Sequence, residues 1–192
     1  TVAWEHLLHS SGWKEFQSRM LVCKTTIDRI VDAPWMQKAS LPASYTIFPW
    51  MEITSQERQI IKETQQANPW IPEDLIPFKH EENLEPLNSL GLRYQGQVVG
   101  WVITHRLAPD TIRYTCSFVR RDLQKMGRII PMYVNSINKQ IDAKIIKGIW
   151  TVPYIHDGMV NFVNKRMKPY MNSVEESRSA SKSLWETSVV AL

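Results

Sequence analysis

The sequence predicts a mixed α/β fold of the α+β kind, in which a mostly antiparallel meander feeds a parallel strand–helix–strand unit. Three observations carry this expectation. Residues 90–94, 98–107 and 112–119 read as three successive strands, separated by Gln95-Gly96 and Ala108-Pro109-Asp110. Ile130, Tyr133, Val134, Ile137 and Ile141 then fall at helical spacing. Residues 144–155 return to strand character, so a helix crosses between two strands.

The remaining elements follow in order. Residues 3–8 read as a helix stopped by Ser11-Gly12, residues 16–23 as a strand, and residues 26–31 as a second helix broken at Ala33-Pro34-Trp35. Pro34, Pro42 and Pro49 mark a connecting segment. Residues 45–50 form a strand, after which Thr54 and Glu57 have the spacing of a capping box. Ile60, Ile61, Thr64 and Ala67 are the expected buried stripe of that helix, and Asn68-Pro69 ends it. Residues 70–87 are loop-like. Residues 98–103 are nearly all apolar, as in a strand covered on both faces. Ile112, Tyr114, Cys116 and Phe118 are expected to share one face of the next strand. Asp157 is a candidate N-cap for a last helix with Met159, Val160, Val163 and Met167 as its stripe. Residues 171–192, dominated by Ser173, Ser177, Ser179, Ser181 and Ser183, show no period. They read as a mobile tail held by isolated contacts such as Trp185. The chain thus divides into residues 1–44, 45–170 and 171–192.

A chain of 192 residues can bury one sizeable core, and its 43% hydrophobic content excludes a disordered or collagen-like polymer. With 23 Lys and Arg against 19 Asp and Glu, the net charge of +4 suits a phosphate-bearing ligand as well as it suits nucleic acid. Two cysteines, Cys23 and Cys116, build no disulfide framework or zinc site, so a reducing, cytoplasmic setting is expected. The longest apolar runs are too short to span a membrane, and no membrane partner is expected. The five histidines show no metal-ligand spacing beyond His6 and His9, and no metal is expected. The first residue is Thr rather than Met, which fits an excised piece or a trimmed terminus.

The chemically informative stretch is Val119-Arg120-Arg121-Asp122-Leu123-Gln124-Lys125-Met126-Gly127-Arg128-Ile129, between a strand and a helix. Backbone N–H groups opening a helix lack intrahelical acceptors and suit phosphate. Arg120, Arg121, Lys125 and Arg128 surround them with positive charge. A solvated basic turn would carry the same residues, so the stretch is weak by itself.

In that setting Gln124-Lys125-Met126-Gly127-Arg128-Ile129 resembles the Gln/Arg-x-x-Gly-x-Gly/Ala signature of the GNAT superfamily of N-acetyltransferases. Val119 stands where the family's fourth strand ends. The resemblance covers residues 45–170, and Ile129 departs from it by replacing a small residue. It implies a central sheet flanked by helices, with the fourth and fifth family strands splayed apart. It also implies acetyl-CoA or another acyl-CoA as cosubstrate, with Ser117, Phe118 and Val119 pairing its pantetheine arm. Gln124, Lys125, Met126, Gly127, Arg128 and Ile129 would hold its pyrophosphate. The reaction implied is attack of a small-molecule or peptide amine on the thioester. Gly12-Trp13 and the strand after it look like the end of a preceding domain of a tandem protein, or like a strand completing this sheet.

The resemblance implies a Tyr acid in the last helix, and Phe162-Val163-Asn164-Lys165 has none. Tyr154 and His156 are the substitutes, each with packing as the competing role; an imidazole could also act as base. Trp50, Glu52, Trp70 and His105 are the candidate acceptor-binding residues. For Trp50 and Trp70 the competing role is a packing anchor, and for Glu52 and His105 an exposed surface position. Cys116 reads as core, because a buried thiol is inert. Two further functions compete with acyl transfer: a GNAT-like domain that binds coenzyme A or a partner without turnover, and a nucleic-acid module built on the basic turn. No recognised nucleic-acid motif accompanies that turn, so no nucleic-acid partner is expected. Acceptor identity and oligomeric state are not encoded legibly.

Overall fold

The computed structural model describes residues 2–183. Seven strands form one sheet: β1 (Lys14–Thr26), β2 (Tyr45–Pro49), β3 (Leu90–Tyr94), β4 (Gln97–Ala108), β5 (Thr111–Val119), β6 (Lys147–Pro153) and β7 (Ser173–Ser181). Their spatial order is β2-β3-β4-β5-β6-β1-β7. Every neighbouring pair is antiparallel except β5 and β6. The helices are α1 (Val2–Ser10), α2 (Ile27–Ile30), α3 (Pro34–Lys38), α4 (Ser55–Ala67), α5 (Arg121–Gln124), α6 (Ile129–Asp142) and α7 (Asp157–Phe162).

The meander is built as its sequence dictates. Gln95 and Gly96 both have positive φ, and Tyr94 pairs with Gln97, which is the two-residue turn favoured by strand twist. Val99 and residues 101–104 are buried on both faces of β4. One apolar cluster lies between the sheet and α6, centred on Ile112, Tyr114, Tyr133, Ile137 and Trp150. A second lies on the opposite face and joins Phe48, Trp50, Ile61, Trp101, Cys116 and Phe118.

Membership of these clusters corrects the expected alternation in β5. Ile103 pairs with Cys116 and Thr104 with Tyr114, so Thr115 is an unopposed bulge residue. A bulge shifts the pleat by one residue. Tyr114 therefore packs under α6, while Cys116 and Phe118 pack on the other face. The two do not share a face.

Three further expectations are corrected. The serine-rich stretch after residue 171 is not a loose tail: Ser173–Ser181 is a sheet strand paired with β1. The Trp185 contact lies outside the described residues. The sheet thus runs across all three segments into which the sequence divides, with β1 seated between β6 and β7. The α4 capping box is present, but the helix buries Ile61 alone, and Ile60, Thr64 and Ala67 face solvent. Its inward line is completed by Glu57 and Gln65, which bond to Arg93 and to the Trp70–Ile71 backbone. Asp157 opens α7 as its first residue rather than capping it; the cap position belongs to His156.

Among the described residues no helix is long and apolar enough to cross a membrane. Cys23 and Cys116 are free and buried.

Candidate active site

The bulge at Thr115 coincides with the point where the sheet opens. β5 and β6 pair only from Thr111↔Lys147 to Tyr114↔Trp150. Beyond that rung the two strands diverge, and a cleft of about 630 Å³ runs between them. Bulges increase local twist and end pairing, which gives the divergence its physical cause. Trp150 forms the floor, stacked on Tyr114 at 4.1 Å and 7°. Gly148 makes room for that ring, because a Cβ there would sit 2.8 Å from the Trp150 indole.

On the α6 side the wall is Ser117, Val119, Gln124, Gly127, Ile129, Ile130 and Tyr133. Gln124 Nε2 donates to Val119 O at 2.7 Å and ties the loop to the strand end. Gly127 has φ +65°, where a side chain costs about 1–2 kcal/mol. Space is not what selects it, since an added Cβ would approach nothing closer than 3.7 Å. Gly127 N and Ile130 N donate to Gln124 O and Gly127 O. The N–H groups of Arg128 and Ile129 meet no backbone acceptor among the described residues. They stand at the start of the 14-residue α6, where the helix dipole adds to their attraction for anions. The Ile129 side chain packs against the apolar cluster beneath α6. Arg121 also lines the wall, whereas Lys125, Met126 and Arg128 do not. Arg128 instead lies over the Tyr45 ring at 5.0 Å. Tyr133, buried beside Ser117, has its phenol pushed above the ordinary range by burial.

The opposite wall comes from the segment 72–80 and the strand edges. His156 Nε2 and Asp74 Oδ2 are 2.6 Å apart, and His80 Nε2 is 2.8 Å from Asp74 O. Carbonyl and carboxylate oxygens accept, so each imidazole donates from Nε2. Arg113 and Thr115 project from β5 into the same wall, and Thr151 from β6.

Of the expected catalytic pair, His156 is therefore in the cleft and Tyr154 is not. The Tyr154 hydroxyl, just past the end of β6, donates to Glu176 Oε1 of β7 at 3.0 Å across the intervening β1. Trp50 is fully buried, its indole donating to Glu81 Oε1 at 2.7 Å, which corrects its placement in an acceptor pocket. Glu52 is exposed away from the cleft. Trp70 packs on Trp101 and Phe118 and borders a separate groove beside α4. His105 is one step removed: its Nδ1 accepts from Thr115 Oγ1 at 2.8 Å, and Nε2 donates to Glu82 O at 3.1 Å. Cys116 is core, hydrogen-bonded to Leu75 O, with its thiol pushed up to about 12 by burial.

Sequence reasoning did not single out Asp74, His80 or Arg113. Asp74 and His80 sit six apart in an irregular segment, and only folding brings them to His156, which is 82 residues beyond Asp74.

No family model and no curated protein matches the sequence. Solved structures do match in three dimensions. A GCN5-related N-acetyltransferase from Sphaerobacter thermophilus aligns with TM-score 0.56 and 14% identity, over 94% of this chain and 55% of that one. The chain has the GNAT fold. A tandem GNAT protein from the clavulanic acid biosynthesis pathway aligns at TM-score 0.61 and 9% identity, over 93% of this chain and 56% of that one. Ard1 from Thermoplasma volcanium aligns at 0.50 and 11%, over 73% of this chain and all of that one. The chain therefore spans about half the length of the first two GNAT structures, and identities this low bear on the fold alone.

Proposed function

We propose that the cleft binds acetyl-CoA, or another acyl-CoA, and that the protein transfers the acyl group to an amine. The observation that carries this reading is the parting of β5 and β6 beyond Tyr114 and Trp150. A chain carrying amides can use the unpaired strand edge there in the manner of an added strand. Ile129 at the start of α6 and the basic Arg121 line the cleft, and the N–H groups of Arg128 and Ile129 have no backbone acceptor there, a donor set suited to a diphosphate. The residues present therefore fit the nucleotide. When bound, such a cosubstrate supplies an activated thioester.

The chain's own groups divide the remaining work. His156, held by Asp74 through Nε2, lines the cleft and takes the proton of the acceptor ammonium on Nδ1. Asp74 acts by fixing the tautomer and ring orientation. Ser117–Val119 line the arm, Gln124 holds the loop in register, and the Trp150–Tyr114 stack closes the floor against water. Free buried cysteines agree with a reducing, cytoplasmic setting.

One observation favours a second reading, binding without turnover. Phe162 lines the cleft in the helical segment from which the GNAT resemblance implies a tyrosine hydroxyl. Thermal denaturation with coenzyme A and acetyl-CoA, combined with thiol release over an amine panel, separates the readings. A raised midpoint with thiol release supports transfer. A raised midpoint without it supports the binding domain, and an unchanged midpoint removes both.

A further inference from the structure

The wall built from the segment 72–80 and the strand edges holds a cation without an anion partner. Arg113 precedes the last β5–β6 rung and lies on the face away from α6, opposite Ile149 in the parallel register. Its Nη2 reaches Thr151 Oγ1 at a long 3.4 Å. Its Nε is buried and has no partner. Asp74 is engaged by His156, and Asp157, the other acidic residue of the wall, makes no ion pair with Arg113. The guanidinium of Arg113 thus lines the cleft with one weak protein acceptor among the described residues and with its Nε buried and unpaired. A partly desolvated guanidinium without a counter-ion is unfavourable, and a group left so calls for a ligand that completes it. The ligand matching a planar fork is a carboxylate.

The neighbouring charges leave that cation unmatched. Arg113 and Arg121 line the cleft with Asp74 and Asp157, but Asp74 is engaged by His156 and Asp157 makes no ion pair with Arg113. An acceptor whose amine is accompanied by a negative group meets that unmatched guanidinium favourably.

We propose that the acceptor is a small amine bearing a carboxylate, of the amino-acid class, and that Arg113 binds that carboxylate. The proposal rests on the acyl-transfer reading above. It requires Arg113 to determine specificity and not to move protons.

The test uses the full chain, acetyl-CoA and the standard amino acids, each compared with its own carboxamide, which keeps the amine and removes the negative charge. Thiol release should favour the amino acid for at least one pair. Arg113→Met should raise the KM for that amino acid roughly 10–100-fold and the KM for its carboxamide several-fold less, narrowing the preference between the two. Arg113→Lys, which keeps the charge and loses the fork, should fall between. Circular dichroism and unliganded melting check that each variant is folded. Equal use of both members of every pair, turnover of polyamines alone, or an unaltered preference in Arg113→Met overturns the proposal. If coenzyme A binds but no acceptor releases thiol, the transfer reading fails by itself. The carboxylate site is then judged by whether saturating amino acid raises the melting midpoint of the wild type and not of Arg113→Met. No rise in the wild type overturns it.

Discussion

Two regions of this molecule hold polar groups away from bulk water, and they handle them in opposite ways. Between α6 and the meander, Asn88, Ser89, Thr104, Tyr114, Ser136 and Gln140 are buried and fully engaged with one another. Gln140 donates to Ile145 O and Lys147 O at 3.0 and 2.9 Å and accepts from Tyr114 at 2.9 Å. Thr104 donates to Asn88 at 2.6 Å, and Ser136 to Asn88 O at 2.8 Å. In the cleft wall, by contrast, Arg113 Nε and Trp150 Nε1 have no partner, and two amides of the 126–130 turn meet no backbone acceptor. Satisfied buried polar groups fix the relative position of the elements they join, whereas unsatisfied ones at a cleft are capacity for a ligand. Tyr114 belongs to both regions, with its hydroxyl in the network and its ring under Trp150.

Substitutions should separate the two regions. The largest effect is expected at Gln140→Leu, which takes a partner from the Ile145 and Lys147 carbonyls and from the Tyr114 phenol in the interior. Unfolding in urea should show a loss on the order of 4 kcal/mol with the cleft's chemistry affected only through instability. A loss below about 1 kcal/mol would dissolve the contrast. His156→Gln should do the reverse. Acyl transfer should fall by roughly 10²–10³ in kcat while the melting midpoint stays close to that of the wild type. Asp74→Asn should produce a smaller loss in the same direction.

Gly127→Val tests the boundary between the regions. The unliganded protein should lose about 1–2 kcal/mol from the positive φ, and its stabilisation by coenzyme A should vanish. An undiminished ligand-induced shift would place the diphosphate elsewhere.

The smallest effect concerns a third arrangement, a paired charge near the surface. Arg93 bonds both oxygens of Glu57 and holds its carboxyl at about 2, below its ordinary 4.5. A depressed folded-state value means that the contribution is full above pH 4.5 and is lost as pH falls toward 2. Glu57→Gln should flatten the stability–pH curve in that window, by an amount on the order of 1–2 kcal/mol after allowing for solvent screening.

What the sequence discloses follows the range of the interactions involved. The Thr54–Glu57 cap, the Gln95-Gly96 turn and the crossover after β5 are local and were legible. The β7 strand was not, because its serines gain strand character from β1, about 150 residues away. The bulge at Thr115 left no mark in an apparently regular alternation, since it is set by the register against β4. The α4 stripe misled for another reason. Its inward line is polar and held by hydrogen bonds, so a search for apolar spacing selected Ile60 and Thr64 instead. At the site, the turn through Gly127 was readable as a contiguous motif, whereas Asp74 and His156 meet only after the segment 72–80 has folded over the strand ends.

The position of β1 has a kinetic consequence. It is translated first among the strands, yet its hydrogen-bonding partners begin some 120 residues later, at Lys147. At ordinary elongation rates β1 emerges roughly 6–24 s before β6 can receive it. During that interval a 13-residue strand carrying Met20, Leu21, Val22 and Cys23 has both edges open. The nascent chain must keep it from premature pairing until β6 and β7 arrive to close the sheet on either side of it.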